Sequence, residues 1–202
     1  AAYYYTNYML QHSLSLLDHF RFKNKDQNNN FKQKKIYMPE IPKDKYNEFF
    51  SVKPPNENIP EKYWYQRYRY FSKYDEGIKL NNESWYSVTP EQIAHDIATK
   101  SLNMLQKCYK NKTSFTIIDA MCGAGGNSIQ FALVFDHVIA IDIDIENIKL
   151  AQHNAKIYNV SDKIEFICAD FFDICNSMNV FGDMIFLSPP WGQNYTETKF
   201  NI

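Results

Sequence analysis

The chain has 202 residues, 45% of them hydrophobic, and a formal net charge of −1. That apolar share supports one domain-sized core with an extension, and a charge so near zero excludes a generic polycation. The charge is divided, however: residues 1–90 carry 14 Lys/Arg against 10 Asp/Glu, and residues 91–202 carry 8 against 13, so an anionic partner would be reached from the front half.

No apolar run approaches the roughly 18 residues of a membrane span. The four cysteines, Cys108, Cys122, Cys168 and Cys175, lie 14, 46 and 7 residues apart. With no CxxC pair and no neighbouring histidines they argue against structural zinc and read as reduced thiols. The start, Ala1-Ala2-Tyr3, lacks the basic region of a signal peptide, and the missing initial Met leads to the expectation of a fragment.

In chain order, residues 1–60 read as an extension, partly disordered. Gln11–Phe22 suits a short amphipathic helix, Asn24–Gln33 is a polar loop, and Pro39–Pro42 and Pro54–Pro60 serve as linkers. Residues 61–110 form a helical, substrate-side region. Seven of the fourteen residues in Glu61–Tyr74 are aromatic and four are basic. Trp64, Tyr68 and Phe71 fall on one helix face, a stripe suited to core packing, while outward cations near a site would contact phosphates. Thr89 is placed as an N-cap before Pro90, which predicts a helix from Pro90 to about Cys108.

Residues 111–202 alternate short apolar strands with helices. The strands are Phe115–Ile118, His137–Ile141, Ile164–Cys168 and Met184–Leu187. Helices follow at about Asn127–Phe135 and Ile145–Tyr158, with a weaker turn near Phe172–Asn179. This pattern predicts an α/β fold, a doubly wound parallel sheet.

Chemistry gathers at the strand ends. The first strand leads into Asp119-Ala120-Met121-Cys122-Gly123-Ala124-Gly125-Gly126, where glycines permit a tight turn and close ligand approach. Asp142 ends the second strand, placed to accept hydrogen bonds from a ribose. Asp170 and Phe171 follow the third, a polar and an aromatic group able to bracket an adenine. Ser188-Pro189-Pro190-Trp191 follows the fourth; the prolines exclude helix and present a hydroxyl, carbonyls and an indole on a rigid loop. A nicotinamide dinucleotide would require G-x-G-x-x-G and no carboxylate beside its pyrophosphate. The Asp119 carboxylate instead attracts an ammonium, so S-adenosyl-L-methionine suits the electrostatics better.

These strings resemble one family. KYWYQRYRYFSKYDEGIKL (62–80), WYSVTPEQIA (85–94), DAMCGAGGNSIQFAL (119–133), VIAIDID (138–144), DKIEFICADF (162–171) and FLSPPWG (186–192) are similar to trimethylguanosine synthases, the RNA cap guanosine-N2 methyltransferases. The resemblance implies a class I, Rossmann-like methyltransferase with an N-terminal helical extension and S-adenosyl-L-methionine as cofactor, needing no metal. By the same resemblance, Asp119 and the Gly123–Gly126 turn hold the methionine moiety, Asp142 takes the ribose hydroxyls, and Met121, Gly123, Gly125 and Ile143 belong to the cofactor site. Asp170 and Phe171 flank the adenine, and Thr89 reaches the cofactor from the front helix. Trp191 stacks on 7-methylguanine, Ser188 and the Pro189 carbonyl orient its 2-amino group, and Lys62 and Arg67 (or Arg69) meet the cap phosphates.

The implied substrate is 7-methylguanosine-capped small nuclear or nucleolar RNA, the product 2,2,7-trimethylguanosine, and the setting a monomer in the nucleus, with the cytoplasm a further place. The family's sheet continues after strand four, so the resemblance also implies that the core here is incomplete. Two other readings fit the strand-end residues: an amino-methyltransferase acting on another exocyclic amine, and a fragment that binds cofactor or RNA without turnover.

Overall fold

The structure, a computed structural model, describes residues 53–177 and 180–189. The expected helix at Gln11–Phe22, the polar loop at Asn24–Gln33, the first linker, and Pro190 and Trp191 lie outside the described residues. No helix among those described is long and apolar enough to cross a membrane.

The core is a parallel sheet in the order β3-β2-β1-β4, built from β1 (Thr116–Asp119), β2 (His137–Asp142), β3 (Ile164–Cys168) and β4 (Met184–Phe186). The central strands β1 and β2 are apolar on both sides because both sheet faces are covered there, whereas Ile185 of β4 is half-exposed. Ile117, Val138, Ala140, Phe166, Met184 and Phe186 point into the larger core. Ile118, Ile139, Ile141 and Ile167 point into a smaller one. Three helices serve the first face: α4 (Glu91–Cys108), α5 (Gly126–Val134) and α6 (Ile145–Ile157). On the second lies α7 (Phe171–Ser177), through Phe171 and Ile174. This is the expected Rossmann-like α/β architecture, and each expected strand and helix of the core lies within one or two residues of its sequence placement.

The order matters for function. The chain runs from β1 outward through β2 to β3, then returns to the opposite side of β1 as β4, which makes the β1–β4 boundary a topological switch point. Open α/β sheets bind ligands outside the carboxyl ends of the strands at such a point. Asp119 pairs in register with Phe186 and with Ala140, while Asp142 pairs with Cys168. The sequence-selected carboxylates therefore share one sheet edge. The return of β4 is pinned by Asp183, whose Oδ2 accepts the Thr116 N–H at 2.9 Å and whose Oδ1 meets Lys112 Nζ at 2.5 Å. Partial burial opposes the charge on Asp183, yet the Lys112 ammonium and the Thr116 N–H hold its carboxyl below the usual range.

The front segment differs from its expected form. In place of one helical stripe it holds two single turns, α1 (Glu61–Trp64) and α2 (Arg67–Tyr70), then a 3-10 turn at Tyr74–Glu76 and the one-turn α3 (Ser84–Ser87). Tertiary packing overrides the 3.6-residue period here. Trp64, Tyr74 and Trp85 form a mutual cluster with ring centroids 5.8–6.0 Å apart, and a continuous helix would not turn all of these rings inward. Trp64 and Phe71 are buried as the stripe predicted, while Tyr68 sits at the margin, its hydroxyl donating to Asp75 Oδ2 at 2.6 Å. The segment is tied to the core at Tyr158, whose hydroxyl donates to Glu91 Oε2 at 2.5 Å. That carboxylate also takes the Ser72 N–H at 2.7 Å. Tyr158→Phe is expected to cost about 1 kcal/mol, read from the urea midpoint, because Glu91 keeps its second donor.

Thr89 does not cap α4. Pro90 occupies the cap position with no side-chain bond, and Thr89 Oγ1 instead accepts from Asn127 Nδ2 at 3.1 Å. A hydrogen-bond partner on the neighbouring helix has displaced the local cap.

Candidate active site

The β1–α5 turn is shaped by two glycines with left-handed backbone. Gly123 has φ 52° and Gly125 has φ 86°, conformations in which a Cβ is strained. Their surroundings differ. A Cβ on Gly125 would stand 3.0 Å from both Cα and Cβ of Ala151 on α6, whereas one on Gly123 would meet nothing within 4 Å. Gly125 lets α6 approach the turn, and Gly123 borders open space.

Asp119 lies at the base of the turn, wholly buried. Its Oδ2 accepts the Ser128 hydroxyl at 2.5 Å, and its Oδ1 has no partner. Burial raises its carboxyl to about 7, with Asp142 adding to the rise and the Ser128 hydroxyl opposing it. Asn127 shows the same pattern: Nδ2 is satisfied by Thr89, and Oδ1 is buried without a partner. These are the two unsatisfied buried side-chain polar atoms among the described residues, and both are acceptors. Buried acceptors left open cost free energy unless a donor arrives. A donor such as an amine would complement either atom; a phosphate, which brings only acceptors, would complement neither. Cys122, between them, is inert, because burial and both carboxylates push its thiol far above the ordinary range.

Asp142 ends β2 as expected, but its carboxylate is already in use. Oδ2 accepts the Gly123 N–H at 2.8 Å, and Oδ1 accepts the Asp144 N–H at 2.9 Å and Asn147 Nδ2 at 3.2 Å. It braces the turn, with one lone pair of Oδ2 left for a ligand hydroxyl. Ile143 beside it is 72% exposed, an apolar side chain open at the strand end. Met121 is half-buried in the turn.

At the end of β3, Asp170 Oδ1 accepts the Phe172 N–H at 2.7 Å and so caps α7. Phe171, expected to flank a purine, is buried with Ile118, Ile139 and Ile141. Its neighbour Phe172, at 55% exposure, is the aromatic open to solvent there. Two adjacent phenylalanines at a helix start cannot both face inward, and the sequence does not say which one does. Ser188 and Pro189 follow β4 by two and three residues. Because the Ala120 N–H donates to Phe186 O at 3.0 Å, that loop begins beside the Asp119 turn.

The basic residues separate. Lys62 is exposed, its Nζ 4.6 Å from the Tyr63 ring centre, and Arg69 is also exposed. Arg67, expected to face a phosphate, is 4% exposed. Its guanidinium lies 4.2 Å from the Trp64 ring centre and 4.5 Å from that of Tyr68, and donates to Trp64 O. Arg67 is drawn inward because a planar, weakly hydrated guanidinium stacks on aromatic faces. Arg67→Ala is expected to lower stability by about 2 kcal/mol in urea titration, through lost packing.

Sequence reasoning missed Ser128, Asn127, Asn147 and Asn154. Each is a polar residue on a helix face that would pass for solvated surface, and only the fold shows that these faces point at the turn.

The RNA cap guanine-N2 methyltransferase family model matches residues 114–201. The trimethylguanosine synthase of Schizosaccharomyces pombe is 43% identical over 143 residues, covering 69% of this chain and 56% of that protein. The trimethylguanosine synthase of Saccharomyces cerevisiae is 38% identical over 146 residues, covering 70% of this chain and 44% of that protein. The chain thus spans about half the length of these curated relatives. These similarities run across the switch-point turn, and over residues 114–201 the chain matches the RNA cap guanine-N2 methyltransferase family.

Proposed function

We propose that the chain binds S-adenosyl-L-methionine at the β1–α5 turn and directs its methyl group to the N2 amine of a 7-methylguanosine RNA cap, giving 2,2,7-trimethylguanosine. The observation that carries this reading is the pair of buried, unpartnered acceptors, Asp119 Oδ1 and Asn127 Oδ1. They suit the ammonium of an amino-acid moiety and not a pyrophosphate. The trimethylguanosine synthase relatives support the choice of substrate.

When bound, the cofactor supplies an electrophilic methyl carbon on a sulfonium. The chain's own work is then positional. Asp119 and Asn127 accept the amine hydrogens, Asp142 offers its remaining lone pair to a ribose hydroxyl, and Phe172 or Phe171 borders the base. Ser188 and the Pro189 carbonyl hold the acceptor amine with its lone pair toward the methyl carbon. Trp191 stacks on the cationic purine, a favourable cation–π partner. Transfer would form the nitrogen–carbon bond as the sulfur–carbon bond breaks, the sulfur leaving as a neutral thioether and the amine proton passing to water, so no dedicated base would be required. Lys62 and Arg69, as exposed cations, face the cap phosphates. A nuclear monomer acting on small nuclear and nucleolar RNAs belongs to the same reading.

The test is methyl transfer to RNA carrying a 7-methylguanosine cap against RNA carrying an unmethylated guanosine cap, with transfer expected to the first alone. Trp191→Ala should weaken cap-analogue binding roughly tenfold or more, the worth of one aromatic–base stack. It should leave S-adenosylhomocysteine binding nearly intact. Equal loss of both ligands, or equal methylation of both caps, would refute the assignment.

A further inference from the structure

Helix α6 turns three residues toward the cofactor turn: Asn147, Ala151 and Asn154, at i, i+4 and i+7, one helical face. Each meets a different part of it. Asn147 Nδ2 donates to Asp142 Oδ1 at 3.2 Å. Ala151 fills the space a Gly125 side chain would need. Asn154, wholly buried, donates from Nδ2 to Ala124 O at 2.9 Å.

Both asparagines also reach outward to the front segment. Asn154 Oδ1 accepts the Lys79 N–H and its Nδ2 donates to Lys79 O, each at 2.9 Å. Asn147 Oδ1 accepts from Asn81 Nδ2 at 2.9 Å. Asn81 Oδ1 in turn accepts the Ser84 N–H at 2.8 Å and the Ser84 hydroxyl at 2.6 Å. A continuous hydrogen-bonded path therefore runs from Ser84 through Asn81, Asn147 and Asp142 to the Gly123 N–H. The chemistry explains the residue type. An amide carries donors and an acceptor, so one side chain can hold two elements at once. An aspartate at 154 would turn an acceptor toward the Ala124 and Lys79 carbonyls, and a leucine would leave all three backbone groups unpaired.

We propose that Asn147 and Asn154 are positioning residues that couple the front segment, residues 79–84, to the Asp142–Gly123 brace. Ordering the substrate-side segment then tightens the cofactor turn. The inference rests on the reading of that turn as the cofactor cradle and adds to it the device that joins its two halves.

Asn81→Ala tests the coupling, because Asn81 stands two links from Asp142. Ser84→Ala is the control: it removes a bond to Asn81 and leaves the arm to Asn147. Two readouts are taken on the full chain. One is hydrogen exchange of the Gly123 amide without ligand, and the other is S-adenosylhomocysteine affinity by calorimetry, with circular dichroism melts reporting the fold of each variant. Asn81→Ala should speed Gly123 exchange and weaken S-adenosylhomocysteine roughly three- to tenfold, the worth of one hydrogen bond. Ser84→Ala should change neither. Asn81→Ala combined with Asn147→Ala should be no worse than Asn147→Ala alone, since both cut one path. If Asn81→Ala unfolds the chain, Asn81→Asp keeps the acceptor for Ser84, removes the donor to Asn147, and is held to the same outcomes. Unchanged Gly123 exchange, a Ser84→Ala effect equal to that of Asn81→Ala, or additive losses in the double variant would overturn the proposal. A parent chain that takes up no S-adenosylhomocysteine but shows the exchange effect would refute the cofactor reading and leave the coupling standing.

Discussion

Asp119→Ala should lower the affinity for S-adenosylhomocysteine about 100-fold at pH 7.5, as expected for removing one member of a buried, hydrogen-bonded charge pair. The pH dependence gives the sharper result. Burial raises the Asp119 carboxyl from 3.8 to about 7, so below neutral pH the ligand-free protein holds a proton there. A ligand ammonium favours the ionised carboxylate, and binding must then release that proton. Affinity should rise as pH increases towards about 7, by up to roughly tenfold per unit, and level off above it. Asp119→Asn should flatten the profile. Calorimetry in buffers of different ionisation enthalpy would count the proton directly. A parent profile with no change between pH 5.5 and 7.5 would remove Asp119 from the ligand contact.

The same shift has a consequence for stability, of opposite sign. A group whose folded-state value lies above its unfolded value stabilises the fold fully below the unfolded value and loses that contribution as pH rises through the folded one. Ligand-free protein should therefore weaken from about pH 4 to pH 7, by a few kcal/mol at most, and Asp119→Asn should lack this decline. With the ammonium bound at Asp119 as proposed, ligand binding and folding would place opposite demands on one carboxylate, as expected where a site is built at the expense of the fold around it.

Gly125→Ala should destabilise the chain by about 3 kcal/mol or more, while Gly123→Ala should cost only about 1 kcal/mol. Both positions have positive φ, so both pay the conformational penalty. Only at Gly125 does the new methyl collide, at 3.0 Å from Ala151 Cα and Cβ. Ala151 lies inside α6, whose Ile148, Asn154 and Ala155 are themselves buried, so the helix cannot retreat without opening the core. Urea unfolding of the two variants measures the difference directly. Equal midpoints would mean that α6 yields and that the turn is not clamped from that side.

The strands and helices of residues 115–187 were legible because local and global signals agree there. Continuous apolar strands alternate with helices of clear period, and glycines or a carboxylate mark the strand ends. The front segment was not legible in the same way. Its aromatic spacing matched a helix, but the rings of Trp64, Tyr74 and Trp85 close on one another from different turns. That arrangement depends on residues up to 21 positions apart.

The catalogue of strand-end residues was readable one by one; their state was not. Nothing in the string Asp119–Gly126 says that one oxygen of Asp119 is bonded and the other left open. Nothing near Asp142 says that its carboxylate is largely occupied by Gly123, Asp144 and Asn147. Arg67 and Phe171 illustrate the same limit: a cation and an aromatic in plausible places went into the core, while Arg69 and Phe172 took the exposed positions. Composition, periodicity and the order of glycines and carboxylates determine the parallel sheet and the edge where ligands meet it, since these follow from short-range rules of backbone and burial. Which polar atoms are satisfied, and by whom, was decided by tertiary structure alone, because hydrogen-bond partners such as Asn154 and Lys79 are brought together only when the helices dock.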